Sequence, residues 1–456
     1  MHHLVSSSLL FTILLASSSA SPLAKRDPTA YSKIHRQVIP GSGPRSFSKV
    51  RDRACLRYNL DCQSQAREEL ATNTASTASP NEKLATGGGP GSGEVTATPV
   101  NHDSEYICPI KVGGQTLNVN IDTGSSDLYI PLSSRPIRFV SLTRPSNRWV
   151  FNTALGAAEQ SGRTVYDPSK SPTYKNVAGS SFAVNYGDSS QTYGSVGVDT
   201  VEVAGITVVG QAIELPSAVS SSFTNDINAE GILGLAFQSS NTIKPVSQPT
   251  FFENAQSSLQ HAVFTANLKA NTPGNYQFGV IDHTAYAGDT INYTPVNSSG
   301  GVWQFATKPG SSPAVADTGS SLLLLDDDIV NAYWAQVSVK STDGHGSITF
   351  PCSTTLPDFH IQLGESYTAT IAGSLINYAT AAGQAGCEYI HLMHHGRTFY
   401  SDSCTKTDCL LETDCFGGLQ SNTGQNINIF GDIMFQSQFV VFDAQNMQIG
   451  FAPHAA

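Results

Sequence analysis

Two aspartates head the same five-residue phrase. Asp122-Thr123-Gly124-Ser125-Ser126 and Asp317-Thr318-Gly319-Ser320-Ser321 both read DTGSS, the first after LNVNI and the second after AVA. One DTG is common by chance; two DTGSS pentads in one chain are much less so. A carboxylate can take a proton from water, and a carboxylic acid can donate one to a carbonyl oxygen. Two carboxyls within hydrogen-bond reach, sharing one proton, do both jobs at once. Like charges that close cannot both ionise, so such a pair titrates in two separated steps. Attack of an activated water on a peptide carbonyl is the chemistry this arrangement supports. It needs no covalent intermediate with the protein, no metal and no organic cofactor.

The neighbours suit the same task. Gly124 and Gly319 let backbone approach backbone where two such loops meet. Thr123 and Thr318 can hydrogen-bond across them, and Ser125 and Ser320 can donate to the outer carboxylate oxygens. Singly, each Ser or Thr reads as an ordinary turn residue; the repetition is what singles them out.

The elements that must position these loops also repeat. GILGLAF carries Gly234 and INIFGDIMF carries Gly431, which lie 112 and 114 residues after Asp122 and Asp317. The chain is therefore expected to be duplicated, with two similar lobes each offering one Asp on a tight loop. EYICPIKVGGQTLNVNID predicts strand, Gly-Gly turn, strand. LLLLDDDIVNAYWAQV predicts a helix with an Asp near its start where a cap helps. At 456 residues the chain is long enough for more than one core; with 39% hydrophobic and only 13% charged residues, and few long amphipathic helical patterns, it reads as all-β and bilobal.

The leading segments differ in character. Residues 1–20 form a short apolar run ending in small residues, the pattern of a signal peptide, so a secreted, extracellular protein is expected. No other run is long enough to cross a membrane. Residues 21–94 hold 11 Lys+Arg against 7 Asp+Glu, while 95–456 hold 14 against 29. A basic leader before an acidic body implies an intramolecular partner, a pro-segment removed on activation. Lys25-Arg26 is a dibasic processing candidate, and the Ala/Thr/Gly/Ser-rich stretch 71–99 reads as a flexible linker. The lobes are then 95–280 and 281–456. Nothing suggests a nucleic-acid partner, and a monomer is expected.

On the two DTGSS loops and their supporting glycines, the chain resembles the pepsin-like aspartic proteases, especially secreted fungal members of the penicillopepsin and aspergillopepsin type. The resemblance covers most of 102–456. It implies that VNYGDSSQTYGSVGVDTV is a flap hairpin over the substrate, with Tyr186 the flap tyrosine and Gly187, Asp188 and Ser189 its tip. It implies an extended polypeptide substrate, and that Asp188 tolerates basic residues beside the scissile bond within a general taste for bulky apolar ones. It implies that Cys352 and Cys415 form a disulfide. A Lys or Arg of the leader would block the two acids in the zymogen. The resemblance also implies a longer hairpin before Asp317 than the short run from Trp303 allows.

Two stretches interrupt the pattern. After DTGSSDL the family continues with Trp-Val; here the candidate is Trp149, expected to hydrogen-bond the flap tyrosine, and it comes twenty residues late. Removing 129–148 leaves DTGSSDLWVFN, and the flanking codons permit splice-like spellings, so this stretch reads as translated intron sequence. The segment 387–413 reads the same way. A genuine surface insertion is the alternative there, as is a metal site of Cys387, His391, His394, His395, Cys404 and Cys409, whose spacing matches no tight zinc pattern. Cys108 reads as a buried free thiol. Asn292 and Asn297 head glycosylation sequons. The rival to a protease is a catalytically inactive pepsin-like binding or cell-wall protein.

Overall fold

A computed structural model describes residues 90–456 except 102, 126–147, 151, 154, 156–159, 161, 186–190, 221–222, 224–225, 308–309, 344–345, 381–392, 395–396, 399–413, 424–425 and 456. The run 1–20 read as a signal peptide, nearly all of the segment read as a leader, the expected flap tip 186–189 and most of the two interrupting stretches fall outside these residues.

The first half contains strands β1 (Gly93–Val100), β2 (Glu105–Val112), β3 (Gln115–Asp122), β4 (Arg148–Val150), β5 (Lys175–Asn185), β6 (Gln191–Val203), β7 (Ile206–Val219), β8 (Gly231–Gly234), β9 (Val263–Lys269) and β10 (Thr272–Phe278). The second half contributes β11 (Asn292–Asn297), β12 (Gln304–Phe305), β13 (Ala314–Ala316), β14 (Leu323–Leu325), helix α1 (Asp327–Trp334), β15 (Ile348–Pro351), β16 (Asp414–Gly417), β17 (Leu419–Ser421), β18 (Asn428–Phe430), helix α2 (Asp432–Ser437), β19 (Gln438–Asp443) and β20 (Gln448–Pro453), besides other elements that do not bear on the site. The protein is mostly β-sheet, as expected. In β3 the alternation is plain: Leu117, Val119 and Ile121 are fully buried on one face, as the period of two requires.

One expectation fails. The end of the stretch read as linker, 93–99, is strand: β1 pairs with β10 from Gly93↔Phe278 onward, then with β2 from Thr98↔Ile107. Its Thr-rich composition hides an alternation in which Val95 and Ala97 point into the core.

Both Asp loops hang from the same local design. Strand β3 lies antiparallel to β2 and parallel to β8, with Asp122 opposite Gly234. Strand β13 lies antiparallel to β12 and parallel to β18, with Ala316 opposite Phe430. Strand β4 then runs antiparallel on β8, placing Trp149 opposite Ile232, and β14 runs antiparallel on β18, placing Leu324 opposite Ile429. Ile232 and Ile429 each stand two residues before their glycine, so Trp149 and Leu324 hold matching registers. Trp149 lies 27 residues after Asp122 and Leu324 lies 7 after Asp317, an excess of twenty in the first half. That excess equals the length of the stretch 129–148.

A six-stranded antiparallel sheet, in the order β1-β10-β9-β19-β20-β11, takes three strands from each half. Aromatic rings fill the space against it. Phe264 from β9 stacks on Phe442 from β19 with centroids 4.4 Å apart, and Trp303 packs edge-on to both. Each buried ring contributes about 2 kcal/mol by removal from water, so this seam joins the halves with a continuous core. Trp303 also donates its indole N–H to Leu235 O at 3.0 Å, which satisfies its one polar group. At the far end of the second half, Cys352 and Cys415 form a disulfide across the β15–β16 pair. Cys108 is buried and forms no disulfide.

The Gly113-Gly114 turn between β2 and β3 is held by a buried acid. Gly113 has a φ of +56°, and a Cβ there would lie 2.3 Å from Asp199 Oδ2. Asp199 accepts from Tyr166 Oη and Thr173 Oγ1, from Ser171 Oγ at 3.0 Å and from Thr200 N at 2.7 Å. Burial alone pushes this carboxyl up, but the donated bonds outweigh it and hold it below its ordinary value. Its stabilising contribution is therefore present above the ordinary carboxylate value and is lost as the pH falls through the lowered one. We expect Asp199→Ala to cost about 2–3 kcal/mol by stranding these donors, measured by urea unfolding above the carboxylate range. A loss near zero would mean that water replaces the carboxylate.

Candidate active site

Asp122 is the last residue of β3, and Asp317 directly follows β13. Both are fully buried. The two loops are joined by four reciprocal hydrogen bonds. Thr123 N donates to Thr318 Oγ1 at 3.1 Å, and Thr318 N donates to Thr123 Oγ1 at 3.0 Å. Thr123 Oγ1 then donates to Ala316 O at 2.9 Å, and Thr318 Oγ1 donates to Ile121 O at 2.7 Å. Each threonine thus grips the carbonyl just before the opposite aspartate. Each hydroxyl is used once as donor and once as acceptor, and both threonines are buried.

The loops also brace their own carboxyls. Asp122 Oδ1 accepts from Gly124 N at 3.0 Å and Ser125 N at 2.9 Å. Asp317 Oδ1 accepts from Gly319 N at 2.9 Å, and its Oδ2 accepts from Ser320 Oγ. The symmetry breaks at the serines: Ser125 N donates to Asp122 Oδ1 whereas Ser320 N donates to Asp317 O at 3.2 Å, and Ser125 Oγ is buried with no hydrogen-bond partner among the described residues. Behind each Asp the parallel neighbour closes the support. Leu235 N donates to Asp122 O at 2.8 Å, and Asp317 N donates to Phe430 O at 3.0 Å. Gly431 is required here, since a Cβ would meet Ser320 O at 2.4 Å.

The sequence that builds this site has known relatives. A sequence model of the family described as eukaryotic aspartyl protease matches residues 105–454. The chain belongs to that family. Penicillopepsin-1 of Penicillium janthinellum is 42% identical over 373 residues, covering 80% of this chain and 99% of that protein. Aspergillopepsin-1 of Aspergillus fumigatus is 40% identical over 375 residues, covering 80% and 82%. Endothiapepsin of Cryphonectria parasitica is 36% identical over 449 residues, covering 95% and 92%. The protein is thus a pepsin-like aspartic endopeptidase of the fungal kind, with the bilobal fold of that family.

Other predicted positions of this aspartyl protease are placed as follows. The flap residues Tyr186, Gly187, Asp188 and Ser189 lie outside the described residues, though the flanking strands β5 and β6 pair from Asn185↔Gln191 downward. Trp149 is described through its backbone alone, in β4. The sequon residue Asn297 is exposed and its side chain accepts from Ser299 N at 3.0 Å. Of the Cys/His set of the metal alternative only His394 is described, through its backbone in the short strand Met393–His394; among the described residues, no group of three or more His, Cys, Asp or Glu could hold a metal ion. Among the described residues no helix is long and apolar enough to cross a membrane.

Sequence reasoning missed a buried acid close to the pair. Asp432 opens helix α2 one residue after Gly431, is 1% exposed, and neither carboxyl oxygen has a hydrogen-bond partner among the described residues. Burial pushes its pKa well above the ordinary value, and the nearby charges of Asp317, Glu105, Asp103 and Asp122 add to the rise. Asp103 and Glu105 are themselves buried at the start of β2, held by Asn271 N at 3.0 Å and Asn101 Nδ2 at 2.7 Å. The clue was present: an acid inside the otherwise apolar NIFGDIMF has no surface to reach. A protonated Asp432 stabilises the fold, and the sign follows from linkage. The contribution is complete below the ordinary carboxylate value and is lost as the pH climbs from there through the raised one. Asp432→Asn, an uncharged isostere, should flatten the fall in Tm between acid and neutral pH, so that the variant outlasts the parent near neutrality. Parallel Tm-versus-pH curves for the two proteins would refute this.

Proposed function

We propose that the protein is a secreted endopeptidase, made as a zymogen, that hydrolyses peptide bonds at acid pH with one water activated between Asp122 and Asp317. One carboxyl enters ionised and the other protonated. The carboxylate takes a proton from the water as its oxygen attacks the peptide carbon, and the acid protonates the carbonyl oxygen. The tetrahedral diol then collapses: the C–N bond breaks, a proton passes to the departing nitrogen, and the pair regains its single shared proton. The products are a carboxylic acid and an amine.

The observation that supports this reading most directly is the reciprocal threonine bonding, because a pair that shares a proton works only at a fixed separation. The long β5–β6 hairpin suits closure over an extended polypeptide substrate. The chain's net charge of −11 suits work at low pH, where carboxylate repulsion fades. The basic leader would dock on the acidic body and be cut away in or near the linker before 93, leaving a monomeric enzyme outside the cell.

The test is digestion of a denatured protein at acid pH by the activated chain, with and without pepstatin. Pepstatin should abolish the activity, and Asp122→Asn or Asp317→Asn should each lower kcat by about 1,000-fold or more. Undiminished digestion by both variants would refute the dyad. A parent with no digestion that still binds peptides would favour the inactive binding protein.

A further inference from the structure

The two active-site aspartates are fed by unequal strands. Asp122 ends an eight-residue strand that pairs with β2 from Gln115 to Asn120. Asp317 follows a strand of three residues, and its antiparallel partner β12 has only two. The backbone ahead of Ala314 therefore has little ladder to hold it. A different set of bonds does so.

Asp326 stands at the N-cap of α1, where a side chain would be expected to cap the helix, yet it makes no cap bond. Its carboxylate turns instead to the run before β13. Oδ2 accepts from Ser312 N at 2.9 Å and from Asn428 Nδ2 at 3.2 Å, while Oδ1 accepts from Asn422 Nδ2 at 3.0 Å. Asn428 completes the ring. Its Oδ1 accepts from Asp326 N at 2.7 Å, its Nδ2 donates to Ser312 O at 3.0 Å, and its N–H donates to Pro313 O at 2.8 Å. Asn422 and Asn428 are both fully buried. Asn428 also opens β18, the strand whose Phe430 O receives Asp317 N. One carboxylate thus ties the run that leads into Asp317 to β18, the strand that receives Asp317 N. Burial pushes the Asp326 carboxyl up, but the bonds from Ser312, Asn422 and Asn428 outweigh it and keep it below its ordinary value.

We propose that Asp326, with Asn428 and Asn422, is a positioning residue for catalysis: a polar clamp that replaces the missing sheet ladder and fixes where Asp317 meets Asp122. The proposal rests on the reading of Asp122 and Asp317 as the catalytic pair. The lost helix cap is the cost of the clamp, since the same carboxylate cannot serve both ends.

Two readouts on Asp326→Ala in the full chain test it, one of them independent of activity. Amide hydrogen exchange across 312–317 should quicken by about 10- to 100-fold while exchange along β3, before Asp122, stays unchanged. In the activated enzyme kcat should fall by about 10- to 100-fold with KM within about twofold, because a displaced carboxyl harms the transition state more than ground-state binding. Asp199→Ala, a destabilising change in the other half, should leave kcat within about twofold and so separates positioning from stability. Should Asp326→Ala fail to fold, Asn428→Ser is read the same way. Unchanged exchange at 312–317 overturns the clamp, and quickened exchange with an unaltered kcat overturns its catalytic role. An inactive parent would instead sink the functional reading, and the exchange result would still decide the clamp.

Discussion

Each DTGSS loop is completed by the other. The hydroxyls of Thr123 and Thr318 accept from each other's backbone N–H and donate to the carbonyls before the opposite aspartates. A buried hydroxyl left without partners costs about 1–3 kcal/mol, so four mutually satisfied bonds favour one relative placement of the loops over its neighbours. The rest of the molecule maintains that placement. Strands β8 and β18 support the loops from beneath, and the six-stranded sheet with its Phe264–Phe442 stack keeps the halves from sliding.

The cost of this arrangement is electrostatic. Asp122, Asp317 and Asp432 are buried, with Asp103 and Glu105 close by. Charges this poorly hydrated and of one sign repel strongly at low effective dielectric. Protonation is the relief available to Asp432, whose oxygens have no hydrogen-bond donors among the described residues. Asp199 and Asp326 follow the opposite strategy, since each is surrounded by donors and stays ionised more readily than a free carboxyl. The same residue type is therefore used in two protonation regimes, chosen by the number of N–H and O–H groups aimed at it.

Much of the site was legible because repetition carries information that single residues lack. The paired DTGSS phrases and the glycines at 234 and 431 were enough to find the strands and loops that support both aspartates. What escaped was whatever depended on packing without a sequence period. The strand 93–99 was hidden by linker-like composition, because its alternation involves only Val95 and Ala97 among small polar residues. An Asp near the start of LLLLDDDIVNAYWAQV was expected to cap the helix, but Asp326 at the N-cap makes no cap bond and accepts from Ser312 N in the run before Asp317 instead. Ser125 and Ser320 are identical in motif and differ in bonding, since the surroundings of the two loops are not identical. The disulfide rested on resemblance, since spacing alone leaves the pairing of eight cysteines open.

The threonine lattice has a further consequence. Every bond in it is matched by a counterpart under a twofold rotation, so it places no demand on the two loops being different. A single half-length polypeptide carrying one DTGSS loop could satisfy all four bonds by meeting its own copy. Covalent fusion of the halves removes any need for them to be alike, and they are not: the first feeds its aspartate from an eight-residue strand, while the second does so from three residues and carries the disulfide.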